Sequence, residues 1–172
     1  MLAEAMTEAG AGFEDLGRIG VTVGPGSFTG LRVGLAFAKG LAIARGIGCV
    51  GVGVLEALAA SSGKGGRILA AIDANRAQAY LQLFTDGVAA GEAEAVLLDD
   101  ASGWIARRGG SAGLTIVGSA VPLLAEIAPG ARLLPLAAAD PLAIARLAAA
   151  ADPALAPAHP IYLRAPDARL PA

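Results

Sequence analysis

An α/β fold is what this sequence predicts, and three observations carry the prediction. Short Val- and Ile-rich runs, Arg18–Val23 and Ile47–Val52, read as buried strands. Each is followed by a run with helical spacing, Thr29–Arg45 after the first and Val54–Ser61 after the second, the alternation that a layered α/β unit needs. Over 172 residues, 55% are hydrophobic and 16% charged, enough apolar material for one ordinary domain or two small lobes with a packed core. Aromatic residues make up only 4%, so a core of Ala, Val, Leu and Ile must gain its stability from close backbone approach, and tight helix contacts are expected.

The elements follow in order. Met1–Ala9 is rich in helix formers, with Leu2, Ala5, Met6 and Ala9 on one face and Glu4 and Glu8 on another, and no capping side chain precedes it. A turn over Gly10–Gly17 leads into the strand Arg18–Val23, and the helix Thr29–Arg45 is closed by Gly46, a residue suited to the left-handed C-terminal stop. After Ile47–Val52 and Val54–Ser61, the loop Ser62–Gly66 is the expected boundary between two lobes, residues 1–65 and 66–172. The second part opens with a strand Arg67–Asp73, a turn at Ala74-Asn75-Arg76 and a returning strand Ala77–Phe84, with Asp86-Gly87 as a hairpin signal. A helix over Ala101–Arg108, a strand Leu114–Val117, a helix Val121–Ile127 and a strand Arg132–Leu136 come next. Asp140 as N-cap and Pro141 at the first helical position begin the last helix, and the proline-punctuated tail from Ala156 reads as extended.

Composition excludes several function classes. A net charge of −2 gives no basic face for holding nucleic acid by the chain's own electrostatics. Cys49 is the single cysteine and sits in an apolar run, so neither a disulfide nor a thiolate metal site is expected, and a reducing cytoplasm fits. His159 is the single histidine, which leaves no two-histidine metal site. Glycines and Pro122 interrupt the longest uncharged stretch, so neither export nor membrane crossing is expected.

The most informative segment runs from Val23 to Gly40. Gly24, Gly26 and Gly30 lie between a strand and a helix, where backbone N–H groups can face an anion. Their spacing is not the dinucleotide fingerprint, because Thr29 stands where its third glycine belongs, and no Lys-Ser/Thr pair follows as in a P-loop. Gly63-Lys64-Gly65 fails the same test. Two readings of the turn stay open: an anion cradle, or a tight strand-to-helix turn with Ser27 or Thr29 as the cap. Within the helix, Gly30, Gly34 and Ala38 recur every four residues and predict a bare face on which another helix packs, either a neighbour in this chain or a partner.

Three blocks carry a family resemblance. They are Gly24-Pro-Gly-Ser-Phe-Thr-Gly-Leu-Arg-Val-Gly-Leu35 with Ala38-Lys-Gly-Leu-Ala42; Ala71-Ile-Asp-Ala-Asn-Arg76 with Tyr80 and Phe84; and Pro160-Ile-Tyr-Leu-Arg164. In order and spacing these resemble the TsaB (YeaZ) family. The resemblance implies an actin/Hsp70/sugar-kinase-like (ASKHA) fold of two lobes. It also implies a role in the bacterial complex that installs threonylcarbamoyl on N6 of adenosine 37 in tRNA. Members are non-catalytic and pair with the catalytic TsaD subunit through helices of the first lobe, and a TsaE-type ATPase joins the pair. Members begin with a strand carrying an Ile-Asp-Thr-like motif and two more strands, so the first lobe is read here as N-terminally truncated, by a misassigned start or a genuine shortening.

From this resemblance the expected partner surface is Gly30, Gly34 and Ala38, flanked by Leu31, Arg32, Phe37 and Leu41 and joined by Leu2 and Met6. The same patch is expected to self-associate when the partner is absent, with tRNA met only through the complex. No catalytic residue, metal or cofactor is expected. Asp73 is followed by Ala74, Asn75 and Arg76, whose side chains would crowd a phosphate, so Asp73 is read as stabilising its turn. A nucleotide-binding small-molecule kinase or ATPase of the same fold is the main rival, and a nucleic-acid module is another. A metallopeptidase-like homologue is disfavoured, since H-E-x-x-H is absent and no G-x-S-x-G nucleophile elbow is expected.

Overall fold

The computed structural model describes residues 2–164, so Met1 of the first predicted helix and residues 165–172 of the tail lie outside the described part. The first unit opens with α1, Leu2–Glu8, and a single 3-10 turn at Phe13–Asp15. Strand β1 is Arg18–Gly24, helix α2 is Phe28–Arg45, strand β2 is Gly48–Gly53 and helix α3 is Val54–Ser61. Gly46 ends α2 in the left-handed conformation, φ 65°, as its position predicts. β1 and β2 pair in parallel from Arg18 opposite Gly48 to Thr22 opposite Val52, a two-stranded sheet.

The second unit is built on a six-stranded sheet. Strands β3, Arg67–Asp73, and β4, Gln78–Thr85, run antiparallel. On the far edge of β4 lie β5, Val88–Ala89, which realises the Asp86-Gly87 hairpin, and β6, Glu94–Leu97. On the other side β3 pairs in parallel with β7, Leu114–Val117, and β7 with β8, Arg132–Leu134. Helices α4, Leu98–Arg107, and α5, Val121–Leu124, cover one face. Period-two alternation sorts the side chains of β3: Leu69 and Ala71 face α4 and α5, while Ile68 and Ala70 pack with Leu55 and Leu58 of α3.

Several boundaries differ from the expectation, among them the end of β8, at Leu134 instead of Leu136. Helix α4 begins at Leu98 instead of Ala101, with Asp99 and Asp100 in its first turn, where carboxylates meet the positive end of the helix. Regular α5 stops at Leu124 instead of Ile127 and is followed by turns. Strand β6 was not anticipated, because Val96 is the sole buried side chain of its four residues.

The last helix, α6, Pro141–Ala150, leaves the second sheet and packs on β1 and β2, with Ala148 beside Val50, Val52 and Ala57. Asp140 caps it through its side chain, as expected. Bare backbone makes this docking fit: a Cβ on Gly20 would collide with the Ala148 methyl. The Arg18 guanidinium then donates to the carbonyls of Ala148, Ala149 and Ala151 at 2.7, 3.0 and 2.8 Å, satisfying the orphan acceptors at the end of α6. The extended tail crosses β2, where Gly51 N–H donates to Ala156 O at 3.0 Å and Val50 bridges to Pro157.

Candidate functional site

Between the two sheets lies a cleft of about 310 Å³. The glycine-rich turn after β1 forms one wall with Thr22, Pro25, Gly26 and Ser27, and α2 adds Gly30, Leu31 and Gly34. Val54, Leu58, Ile72 and Ser119 with Ala137–Ala139 form the other, so the described lining carries three hydroxyls and no charge. Gly24, which joins Pro25 through a cis peptide bond, has φ +113°, and a Cβ there would lie 2.6 Å from the Ile161 carbonyl, so glycine is required. Ser27 is the cap of α2: its Oγ accepts from Gly30 N–H at 3.3 Å. Thr29 is instead an exposed residue of the first turn. Of the two candidate caps, Ser27 and not Thr29 closes the turn onto α2.

On the second-sheet side the turn after β3 is held by hydrogen bonds. Asp73 Oδ1 accepts from Asn75 N–H at 2.7 Å and Asp73 N–H donates to Ser119 Oγ at 3.1 Å, which ties the residue into its own turn. Asn75, Arg76 and Ala77 carry side chains on left-handed backbone, φ 58°, 55° and 54°. Gly118 has a packing reason for being glycine, because a Cβ would fall on the carbonyl oxygen of Ala71. Among the described residues no group of three or more His, Cys, Asp or Glu side chains is placed to hold a metal.

One sequence expectation needs correction. Gly109-Gly110-Ser111-Ala112-Gly113 does satisfy the G-x-S-x-G spacing. It joins helix α4 to strand β7, the reverse of the strand-to-helix order of a nucleophile elbow, and Ser111 Oγ donates to Pro129 O at 2.6 Å. The string is a loop held by Arg67, whose guanidinium donates to the carbonyls of Arg108, Gly109, Gly110 and Ala112.

Helix α2 sorts its residues differently from the four-residue glycine row. Four residues turn a helix by about 400°, so an i, i+4 row drifts by about 40° per step. Gly30 is therefore exposed, Gly34 half-buried and Ala38 only 5% exposed. The inward stripe is Leu31, Leu35, Ala38 and Ala42, which removes Leu31 (8% exposed) and Ala38 from the free surface. Gly30 and Gly34 border the cleft, and a Cβ on Gly34 meets nothing within 4 Å. The solvent face is Val33 and Phe37, 64% and 62% exposed, with Gly40 and Ala44 in line and Leu41 half-buried beside it. Ile43 is exposed on the other flank. In α1, Leu2 is exposed and Met6 half-buried, and no described residue of that helix is buried.

Arg32, though exposed, has two partners within its own chain. Its Cζ lies 3.8 Å from the Phe28 ring centroid and its Nε donates to Tyr162 Oη at 3.4 Å, while the Phe28 and Tyr162 rings are 5.3 Å apart. The Phe28/Arg32 spacing of four could have shown the first contact; the Tyr162 contact spans 130 positions and has no local signal. Burial raises the Cys49 thiol pKa, opposed in smaller part by the Lys39 ammonium, and so keeps the sulfur protonated.

Known proteins resemble this chain in sequence and in fold. A family model described as TsaD, tRNA N6-adenosine threonylcarbamoyltransferase, matches residues 1–103. The tRNA threonylcarbamoyladenosine biosynthesis protein TsaB of Escherichia coli is 37% identical over 83 residues, 46% of this chain but only 36% of that protein's length. An uncharacterised Mycobacterium tuberculosis protein is 31% identical over 180 aligned residues, 96% of this chain and 72% of its own. The solved structure of YeaZ from Pseudomonas aeruginosa superimposes with a TM-score of 0.73 at 26% identity, covering 95% of this chain and 81% of that one.

Proposed function

We propose that this chain, which belongs to the TsaD tRNA N6-adenosine threonylcarbamoyltransferase family and within it to the TsaB/YeaZ type with its ASKHA-like α/β fold, is a non-catalytic scaffold subunit. It pairs with a TsaD-like catalytic subunit for N6-threonylcarbamoylation of adenosine 37 in tRNA, in the cytoplasm. A TsaE-like ATPase joins the pair, the chain pairs with itself when alone, and tRNA is held by the assembly. Residues 1–65 supply the docking helix, residues 67–134 hold the six-stranded sheet of the second lobe, and α6 with the described tail returns to the first, so the lobe boundary expected at 65/66 does not hold for the end of the chain.

The observation that carries the reading is the solvent face of α2, where Val33 and Phe37 stand side by side one turn apart with the small residues Gly40 and Ala44 below them. An apolar helix face with so little side-chain bulk admits a second helix at about 8–10 Å. An exposed aromatic at the centre of such a contact is worth about 2 kcal/mol or more when truncated. The uncharged cleft lining and the side chains on the Asp73 turn support a subunit that does not turn over nucleotide.

Co-purification with the cognate TsaD-like subunit tests the reading. Phe37→Asp should weaken capture about thirtyfold or more. Gly34→Leu should weaken it without unfolding the second lobe, since the added side chain meets no atom of this chain near its Cβ. Capture of both variants at wild-type strength would remove the docking assignment. Tight magnesium-dependent ATP binding by the isolated chain in calorimetry would favour the kinase-like rival instead.

A further inference from the structure

The Pro160–Arg164 block plays no part in the α2 face, yet its contacts run in order from one sheet to the other. Pro157 bridges to Val50 of β2, and Ile161 N–H donates to Val23 O of β1 at 2.7 Å. Tyr162 then meets Phe28 and Arg32 in the first turns of α2. Arg164 reaches the second sheet: Nη1 donates to Gln78 Oε1 at 3.1 Å and Nη2 to Ala74 O at 2.8 Å, on the turn between β3 and β4. The first-lobe strands are bare where this segment crosses. A Cβ on Gly51 would lie 2.6 Å from Pro157 O, and one on Gly24 would lie 2.6 Å from Ile161 O.

We propose that residues 157–164 are an inter-lobe clasp, with Arg164 its anchor on the second sheet and Tyr162 the positioning residue that holds Phe28 and Arg32 at the start of α2. The chemistry suits the two tasks. A planar guanidinium with several donors can bind a backbone carbonyl and a side-chain amide oxygen together, and so fastens one lobe to an extended strand lying on the other. The Tyr162 ring and hydroxyl give Arg32 a second partner besides the Phe28 face, so the guanidinium is oriented before any partner arrives. The clasp rests on and deepens the docking proposal, because it sets the orientation of the Arg32 guanidinium beside that helix's N-terminal end. It is read on the isolated chain, so the failure of docking and the failure of the clasp give different results.

The test is NMR and amide exchange on the full chain, with protection of β3 amides as the control for folding. In Arg164→Ala the Ile161 amide should exchange at least tenfold faster. The Arg32 Nε–H resonance, displaced by the Phe28 ring, should move toward its free position in both Arg164→Ala and Tyr162→Ala. Gln78→Ala, which spares the bond to Ala74 O, should accelerate Ile161 exchange only about two- to threefold. Wild-type protection of Ile161 and an unmoved Arg32 resonance in Arg164→Ala would overturn the clasp. Should Arg164→Ala lose β3 protection, Gln78→Ala decides by the same two signals.

Discussion

The two sheets of this molecule reach stability by different routes. The six-stranded sheet is packed by Leu69, Leu81, Ile116, Phe84 and Trp104, all drawn from one contiguous stretch of chain. The two-stranded sheet is packed by Val23, Val50, Val52, Ala57 and Ala148, and one of its faces is covered by a helix and a tail more than ninety residues further along. Where side chains are this small, the fit is between backbones, and glycines at 20, 24 and 51 set it. A methyl group added to the first sheet should therefore cost about half or more of what a truncated leucine costs in the second.

Paired substitutions can break or sharpen this contrast. Leu81→Ala leaves a cavity at a fully buried position and should lower unfolding free energy by about 4 kcal/mol in urea titration. Gly51→Ala should cost about 2–3 kcal/mol from a single methyl, because its Cβ falls 2.6 Å from both Pro157 O and Val23 Cγ1; a midpoint equal to the wild type would erase the distinction between the sheets. Arg18→Ala, which releases the carbonyls at the end of α6, should cost about 1–2 kcal/mol and speed amide exchange in α6 before exchange in β3. Gly34→Ala goes the other way. Its Cβ meets nothing, so the variant should be more stable by up to about 1 kcal/mol through helix propensity alone. The smallest effect concerns Cys49, whose raised pKa should make alkylation at pH 8 slower in the folded chain than after denaturation.

Local chemistry made much of the fold legible. Gly46 stops α2, Asp140 and Pro141 start α6, and the runs 18–23, 67–73 and 114–117 lie within or on their strands. The glycine row of α2 misled because a spacing of four drifts around the helix, which turns Ala38 into the core while Gly30 stays out. The exposure of Val33 and Ile43 was not anticipated for the same reason, since the inward stripe is Leu31, Leu35, Ala38 and Ala42. A G-x-S-x-G string can be found in the letters alone, but its place between a helix and a strand cannot.

By itself the sequence determined the order of the strands and helices apart from β6, the caps and turns that separate them, and the family blocks, because each of these rests on neighbours a few residues apart. Tertiary structure alone decided that α6 and the tail complete the first sheet, that Gly20, Gly24 and Gly51 are bare for them, and that Arg32 meets Tyr162. Those contacts join residues about a hundred or more positions apart, and no periodicity or propensity acts over that separation; they exist because the chain folds back and leaves room for backbone but not for a side chain.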